Sequence, residues 1–169
     1  MQLYEKYVTE TVDEKTGRLT KIDFHIPDDF NFGFDVVDFW GKNTPDKTAL
    51  LWVGEHHEEK TFTFSDMMRL TNKTANYFRS LGIKKGDRVM LILRRHYQFW
   101  FSIVALHKIG AIVIPATDQL MKKDLVYRFN LAGVSAVVIS STGSIVDEAE
   151  KAFEQCDVKT KILVGASRD

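Results

Sequence analysis

Three short polar stretches follow apolar runs in the middle of the chain, and they carry the residue types best suited to chemistry. They are Arg94-Arg95-His96, Ala116-Thr117-Asp118-Gln119 and Ser140-Ser141-Thr142-Gly143. Guanidinium groups are fixed positive charges whose donors match phosphate or carboxylate oxygens as a fork. A hydroxyl-rich turn ahead of a helix offers backbone N–H groups to an anion. Together these residues suit the holding of an anionic ligand. The plainer alternative is that Arg94 and Arg95 are solvated and that the Ser and Thr side chains only cap helices.

The other reactive side chains are scattered. His56 and His57 are adjacent on a polar turn and read as an exposed pair rather than a metal site. His25 and His96 are isolated, and His107 lies in an apolar helix, where a hydrogen-bonded packing role fits better than that of a base. Cys156 has no CxxC partner. No dinucleotide-binding glycine fingerprint, no Walker glycine loop with its lysine and no nucleophile elbow occurs. The residues themselves therefore assign no catalytic group and no metal ligand.

The elements that must position the three polar stretches come from hydrophobic periodicity. Ile83 to Asp118 reads as strand, helix, strand: Arg88–Leu93, an almost wholly apolar helix Tyr97–Ile109, and Ala111–Pro115. Two parallel strands need a crossover of this kind. Further on, the pattern predicts a helix from Met121 to Ala132 ended by Gly133, a strand Ser135–Ile139, a helix opened by a Ser144/Asp147 capping box and running through Cys156, and a last strand Lys161–Val164. The order βαβαβαβ from Arg88 onward defines the fold class: α/β, a mostly parallel sheet flanked by helices. In such sheets ligands bind beyond the carboxyl ends of the strands, which is where the three polar stretches fall.

Upstream, Thr48–Val53 and Lys60–Phe64 form a β-hairpin with a polar tip expected in solvent. A helix capped by Ser65 follows, with Met67, Leu70, Thr74, Phe78 and Leu81 as its apolar stripe and Gly82 after it. Asp35–Thr44 reads as a helix with Asp35 as N-cap. Residues 1–34 are a weakly patterned leader: Tyr4, Tyr7 and Val8 suit a short helix, Asp13–Gly17 a turn, and Ile22–Ile26 an extended piece. Phe30, Phe32 and Phe34 are expected to dock this leader on the body, residues 35–169.

Composition narrows the function classes. Lys plus Arg and Asp plus Glu are equal at 23 each, so no overall field draws nucleic acid or an anionic membrane, and any anion site is local. At 44% hydrophobic and 27% charged, the 169-residue chain is of ordinary globular composition. No apolar run reaches the roughly 20 residues of a membrane span, and the polar N-terminus has no signal-peptide core. A lone cysteine fits a reducing, cytoplasmic setting.

The stretches FTFSDMMRLTNKTANYFRSLGIKKGDRVMLIL and ALHKIGAIVIPATDQLMKKDLVYRF resemble the N-terminal part of the adenylate-forming (AMP-binding) superfamily. FTFSDMM is similar to its threonine-tyrosine…glutamate-leucine element, and LHKIGAIVIPATD to its leucine-lysine-alanine-glycine…proline element. FNFGFDVVDFW and PATDQLMKKDLVYR are most similar to medium-chain acyl-CoA synthetases, and the likeness runs from about Phe30 to Val164.

The resemblance implies an AMP-forming ligase that joins a carboxylic (fatty) acid to ATP, with Mg2+ assisting, and passes the acyl group to coenzyme A. It also implies that Pro115, Ala116, Thr117, Asp118 and Gln119, with Ser141 and Gly143, border the path of coenzyme A. The family's phosphate loop, ribose-binding aspartate and catalytic lysine do not occur in the 169 residues. The expectation is accordingly an N-terminal fragment that holds no cofactor tightly and cannot adenylate alone, with open edges that invite a homodimer. Arg94 and Gln98 stand where many relatives carry proline and glutamate, so no catalytic role transfers to that loop. Two other readings compete: a stand-alone binding or interaction module that kept the fold without the chemistry, and an unrelated flavodoxin-like or receiver-like domain. Arg94 and Arg95 at a strand end count against a receiver.

Overall fold

The computed structural model describes residues 2–165, which fall into two units divided between Asn31 and Phe32. In the first, a 3₁₀ turn at Leu3–Lys6 precedes an antiparallel ribbon of β1 (Val8–Val12) and β2 (Leu19–Phe24). Val8 lies opposite Phe24 and Glu10 opposite Ile22. The expected short helix through Val8 therefore gives way to a strand. The expected turn is present: Asp13 Oδ1 accepts hydrogen bonds from the backbone N–H groups of Lys15 and Thr16, and Gly17 takes the left-handed conformation. Tyr7 meets Phe30 edge-on at 5.1 Å.

The second unit opens with a π-helical segment, Phe32–Asp38, that runs directly into α1 (Phe39–Asn43). Asp35 thus sits inside the segment and is not an N-cap. The antiparallel hairpin of β3 (Thr48–Val53) and β4 (Glu59–Thr63) follows as expected. Helix α2 (Phe64–Ser80) is capped by Thr63 rather than Ser65: Asp66 N–H donates to Thr63 Oγ1 (3.1 Å) and Thr63 N–H donates back to Asp66 Oδ2 (3.2 Å). Met67 and Phe78 of the apolar stripe are buried, whereas Leu81, the C-cap residue just past the helix, is exposed.

From Arg88 the chain follows the expected order: β5 (Arg88–Ile92), α3 (Gln98–Ile109), β6 (Ile112–Pro115), α4 (Lys122–Ala132), β7 (Ala136–Ser140), α5 (Ile145–Phe153) and β8 (Thr160–Val164). The four strands form one parallel sheet in the order β6-β5-β7-β8. Strand alternation sorts their side chains onto two faces. Val89, Leu91, Ala136 and Val138 meet Ala75 and Phe78 of α2 and Ala105 and Leu106 of α3. Met90, Ile92, Val137 and Ile139 meet Leu125 and Phe129 of α4 and Ile145 and Ala149 of α5. Burial on both faces is why these strands read as continuous apolar runs.

Helix α3 finds most of its partners within this unit. Phe101 and Val104 pack with Val37, Met67 and the hairpin residues Leu50 and Phe62, while Trp100 stays half-exposed. The hairpin and the π-helical segment cover the second side of this apolar helix. No helix among the described residues is long and apolar enough to cross a membrane.

Candidate functional site at the carboxyl edge of the sheet

The parallel topology brings all three polar loops to one edge, and side-chain contacts join two of them directly. Arg94 follows β5 with a positive φ of 23°, unusual for a residue with a Cβ. Its guanidinium reaches Glu55 Oε1 at 3.2 Å and Asp118 Oδ2 at 3.4 Å. One arginine therefore bridges the β3–β4 tip, the β5–α3 loop and the β6–α4 loop. The tip, expected to be merely solvated, thus belongs to the edge. Trp52 Nε1–H also donates to the Arg95 carbonyl, and Trp52 meets Tyr97 edge-on at 5.3 Å.

A cleft of about 250 Å³ lies between the tip and the sheet, lined by Trp52, Glu55, His56, Arg94, Arg95, Gln98 and Thr142 among others. Arg94 is neutralised by its two carboxylates. Arg95 is exposed and makes no ion pair among the described residues, so it is the cation with charge to spare. Gln98 Oε1 is buried without a hydrogen-bond partner, and so is Ser140 Oγ at the end of β7. Backbone N–H donors, first that of Glu58 itself and then that of His56, hold the Glu58 carboxyl below its ordinary value despite some desolvation.

The residues expected to border a ligand divide into two groups. Pro115 ends β6 opposite Leu91, and Ala116 N–H donates to the Leu91 carbonyl (2.9 Å). Thr117 Oγ1 accepts from Gln119 N–H (3.3 Å), which closes the turn around Asp118. Of this group only Asp118 contacts the cleft, through Arg94. On the second loop, Ser141 N–H donates to the Val164 carbonyl (2.8 Å), and Gly143 is exposed with φ +81°. Gly165 has φ +120°, a conformation that favours glycine, where β8 ends beside this loop, and a Cβ there would displace Ser141 Oγ.

The expected Ser144/Asp147 capping box is not formed. Ser144 is helical and makes no side-chain cap bond, so the first N–H groups of α5 are not satisfied by a serine. The hairpin tip was missed in the sequence because reach across 39 residues, from Glu55 to Arg94, leaves no local pattern. No three-residue group of His, Cys, Asp or Glu able to hold a metal occurs among the described residues. Cys156 is partly buried, and burial raises its thiol above the usual value, which makes it a poor nucleophile at neutral pH.

The sequence and the fold coincide with one known group of proteins. The sequence profile of the AMP-binding enzyme family matches residues 37–168, and the chain belongs to that family. Mouse acyl-coenzyme A synthetase ACSM1, mitochondrial, is 37% identical over 150 residues, covering 84% of this chain and 26% of its own. The human protein of the same name is 34% identical over the same share of both chains. The chain therefore spans about a quarter of the length of the relatives it matches. Among solved structures, a long-chain-fatty-acid-CoA ligase from Archaeoglobus fulgidus superposes with a TM-score of 0.75 at 19% identity, over 86% of this chain and 29% of that one. A fatty acyl CoA synthetase from Mycobacterium tuberculosis gives 0.69 at 22%, over 79% and 26%. At such identities the superpositions speak for the fold alone.

Proposed function

We propose that this chain is the sheet-forming portion of an AMP-forming acyl-CoA synthetase, which converts a carboxylic (fatty) acid, ATP and coenzyme A to acyl-CoA, AMP and pyrophosphate. The observation that carries the reading is the family match over residues 37–168, joined to relatives named as acyl-coenzyme A synthetases at up to 37% identity. We further propose that Pro115, Ala116, Thr117, Asp118 and Gln119 on one loop, and Ser141 and Gly143 on the next, border the path of coenzyme A. Arg95 supports this, being the one arginine of the cleft without an ion pair among the described residues.

These residues do not fit a Mg2+ site. Asp118 and Glu55 both face the Arg94 guanidinium, and a hard cation needs oxygen ligands free of such a partner. No metal-dependent step is assigned to them. ATP, Mg2+ and a lysine-bearing phosphate loop belong, in this proposal, to sequence outside these residues.

The test is ATP–pyrophosphate exchange with fatty acids, run on the 169-residue chain and on a chain extended to the relatives' length. The proposal expects no turnover from the first and acid-dependent turnover from the second. Turnover by the short chain overturns its assignment as a part. Inactivity of a folded extended chain overturns the ligase reading in favour of a binding module. Self-association through the outer strands is proposed from Ile112 on β6 and Leu163 on β8, apolar and exposed at 48% and 38%, and sedimentation analysis of the chain would detect it. We place the protein in a reducing compartment, the cytoplasm in the first instance. The names of the relatives place those proteins in mitochondria.

A further inference from the structure

One lysine in the most apolar helix is more completely buried than any other cation described here. The Lys108 side chain is 1% exposed. Its Nζ donates to Asp38 Oδ1 (2.6 Å), Asn72 Oδ1 (2.8 Å) and Thr71 Oγ1 (2.9 Å). Thr71 Oγ1 gives its own proton to the Met68 carbonyl (3.2 Å) and therefore presents a lone pair to the lysine. Three acceptors around one nitrogen require three N–H donors, which an ammonium has and a neutral amine lacks. The geometry thus calls for a charged lysine inside the protein.

Asp38 is brought to this point by the π-helical segment Phe32–Asp38, and it is the last residue of it. The same segment places Phe34 under the ammonium, with the nitrogen 5.4 Å from the ring centroid, and Phe32 edge-on to His107 at 6.0 Å. The last turn of α3 thereby gathers three residues of the segment with which the second unit begins. π-Helical turns are rare and hold only where surrounding contacts demand them.

We infer that Lys108 is an ionic pin which specifies the π-helical path of Phe32–Asp38 and fixes residues 32–43 to α2 and α3, so that the compact body begins at Phe32. The pin acts by selecting one arrangement. Any other winding of the segment would leave either the ammonium or the Asp38 carboxylate buried and unpaired, which is far costlier than a misplaced apolar contact. Apolar neighbours such as Val37 would tolerate a shift of one residue; the ion pair does not. This reading concerns the body alone and does not rest on the proposed ligase activity.

The test is amide hydrogen exchange on the whole chain and on two variants, Lys108→Met and the double variant Lys108→Met/Asp38→Leu. In Lys108→Met, protection of residues 32–43 is expected to fall at least ten-fold beyond any fall in β5 and β7. The double variant removes both charges at similar volume. It is expected to recover the thermal midpoint but not the protection of residues 32–43. Wild-type protection there in the double variant would overturn the inference, since apolar packing would then suffice to set the path. A second readout is the 15N–1H correlation of lysine side chains at neutral pH. One slowly exchanging NH3+ signal that disappears in Lys108→Met supports the charged pin, and its absence from the wild type overturns it.

Discussion

Helix α3 has a cation paired with an aspartate near each end, and the two pairs behave oppositely. At the last turn, Lys108 and Asp38 are 1% and 9% exposed and lie 2.6 Å apart. At the start, Arg94 is 46% exposed and stands 3.4 Å from Asp118, itself 25% exposed. Burial makes the first pair exacting: desolvation pulls the Lys108 ammonium below the usual lysine value while Asp38 pulls it back up. Water screens the second pair, so its partners can be exchanged at little cost. The buried pair suits a fixed scaffold. The exposed one suits a site margin where an incoming anion competes for the guanidinium.

The comparison breaks most visibly at its buried end. Lys108→Met strands a carboxylate in the interior, and a urea titration should register a loss of about 3–5 kcal/mol. If the loss were under ~1 kcal/mol, Asp38 would have to find water or protonate, and the pair would not be buried in the sense argued here. A smaller effect is expected from Thr71→Val, which leaves one ammonium donor without an acceptor. The expected cost is about 1–3 kcal/mol, and it should largely vanish when made in the Lys108→Met background.

At the exposed end the effects shrink. Arg94→Met should change stability by less than about 1 kcal/mol, and moderate salt should lower the wild type by a similar amount while leaving the variant unaffected. A larger loss would mean that the positive φ at Arg94, and not its charge, had been disturbed. The smallest effect is a pH effect at another exposed pair. Asp66 is held below its ordinary value of 3.8, first by the Arg69 side chain and then by the Thr63 backbone N–H. A lowered carboxyl value means stability that is present above the ordinary value and lost as pH falls through the lowered one. Asp66→Asn should flatten that part of the acid limb of the stability–pH curve.

Much of this architecture could be read from the chain. The apolar runs at Arg88–Leu93, Ala111–Pro115 and Ser135–Ile139 announced a parallel sheet because both of its faces are covered. Their carboxyl ends then placed the polar loops. What stayed hidden depends on distant partners. The strand Val8–Val12 alternates two valines with polar residues on a ribbon exposed on both sides, too weak a pattern to separate from a short helix. Thr63 displaced Ser65 as cap because Asp66 stands three residues after the threonine and completes a reciprocal pair. Nothing near Lys108 in the sequence marks it as a buried, paired cation. Only Asp38, seventy residues earlier, explains it.

The strand order also has a consequence for how the chain acquires its shape. Strand β5 lies in the interior of the sheet, yet both of its neighbours come later: Val89 pairs with Val113 and with Ala136. During synthesis the apolar run Arg88–Ile92 therefore leaves the ribosome before either of its hydrogen-bonding partners exists. Pairings so far apart in sequence form slowly, because the intervening loop must be ordered first. Helices α2 and α3 are available to shelter one face of β5 in the interval, but the other face waits for α4 and α5. Interrupting translation between Pro115 and Ala136 should accordingly yield a nascent chain that recruits chaperones, and completion through Val164 should release them.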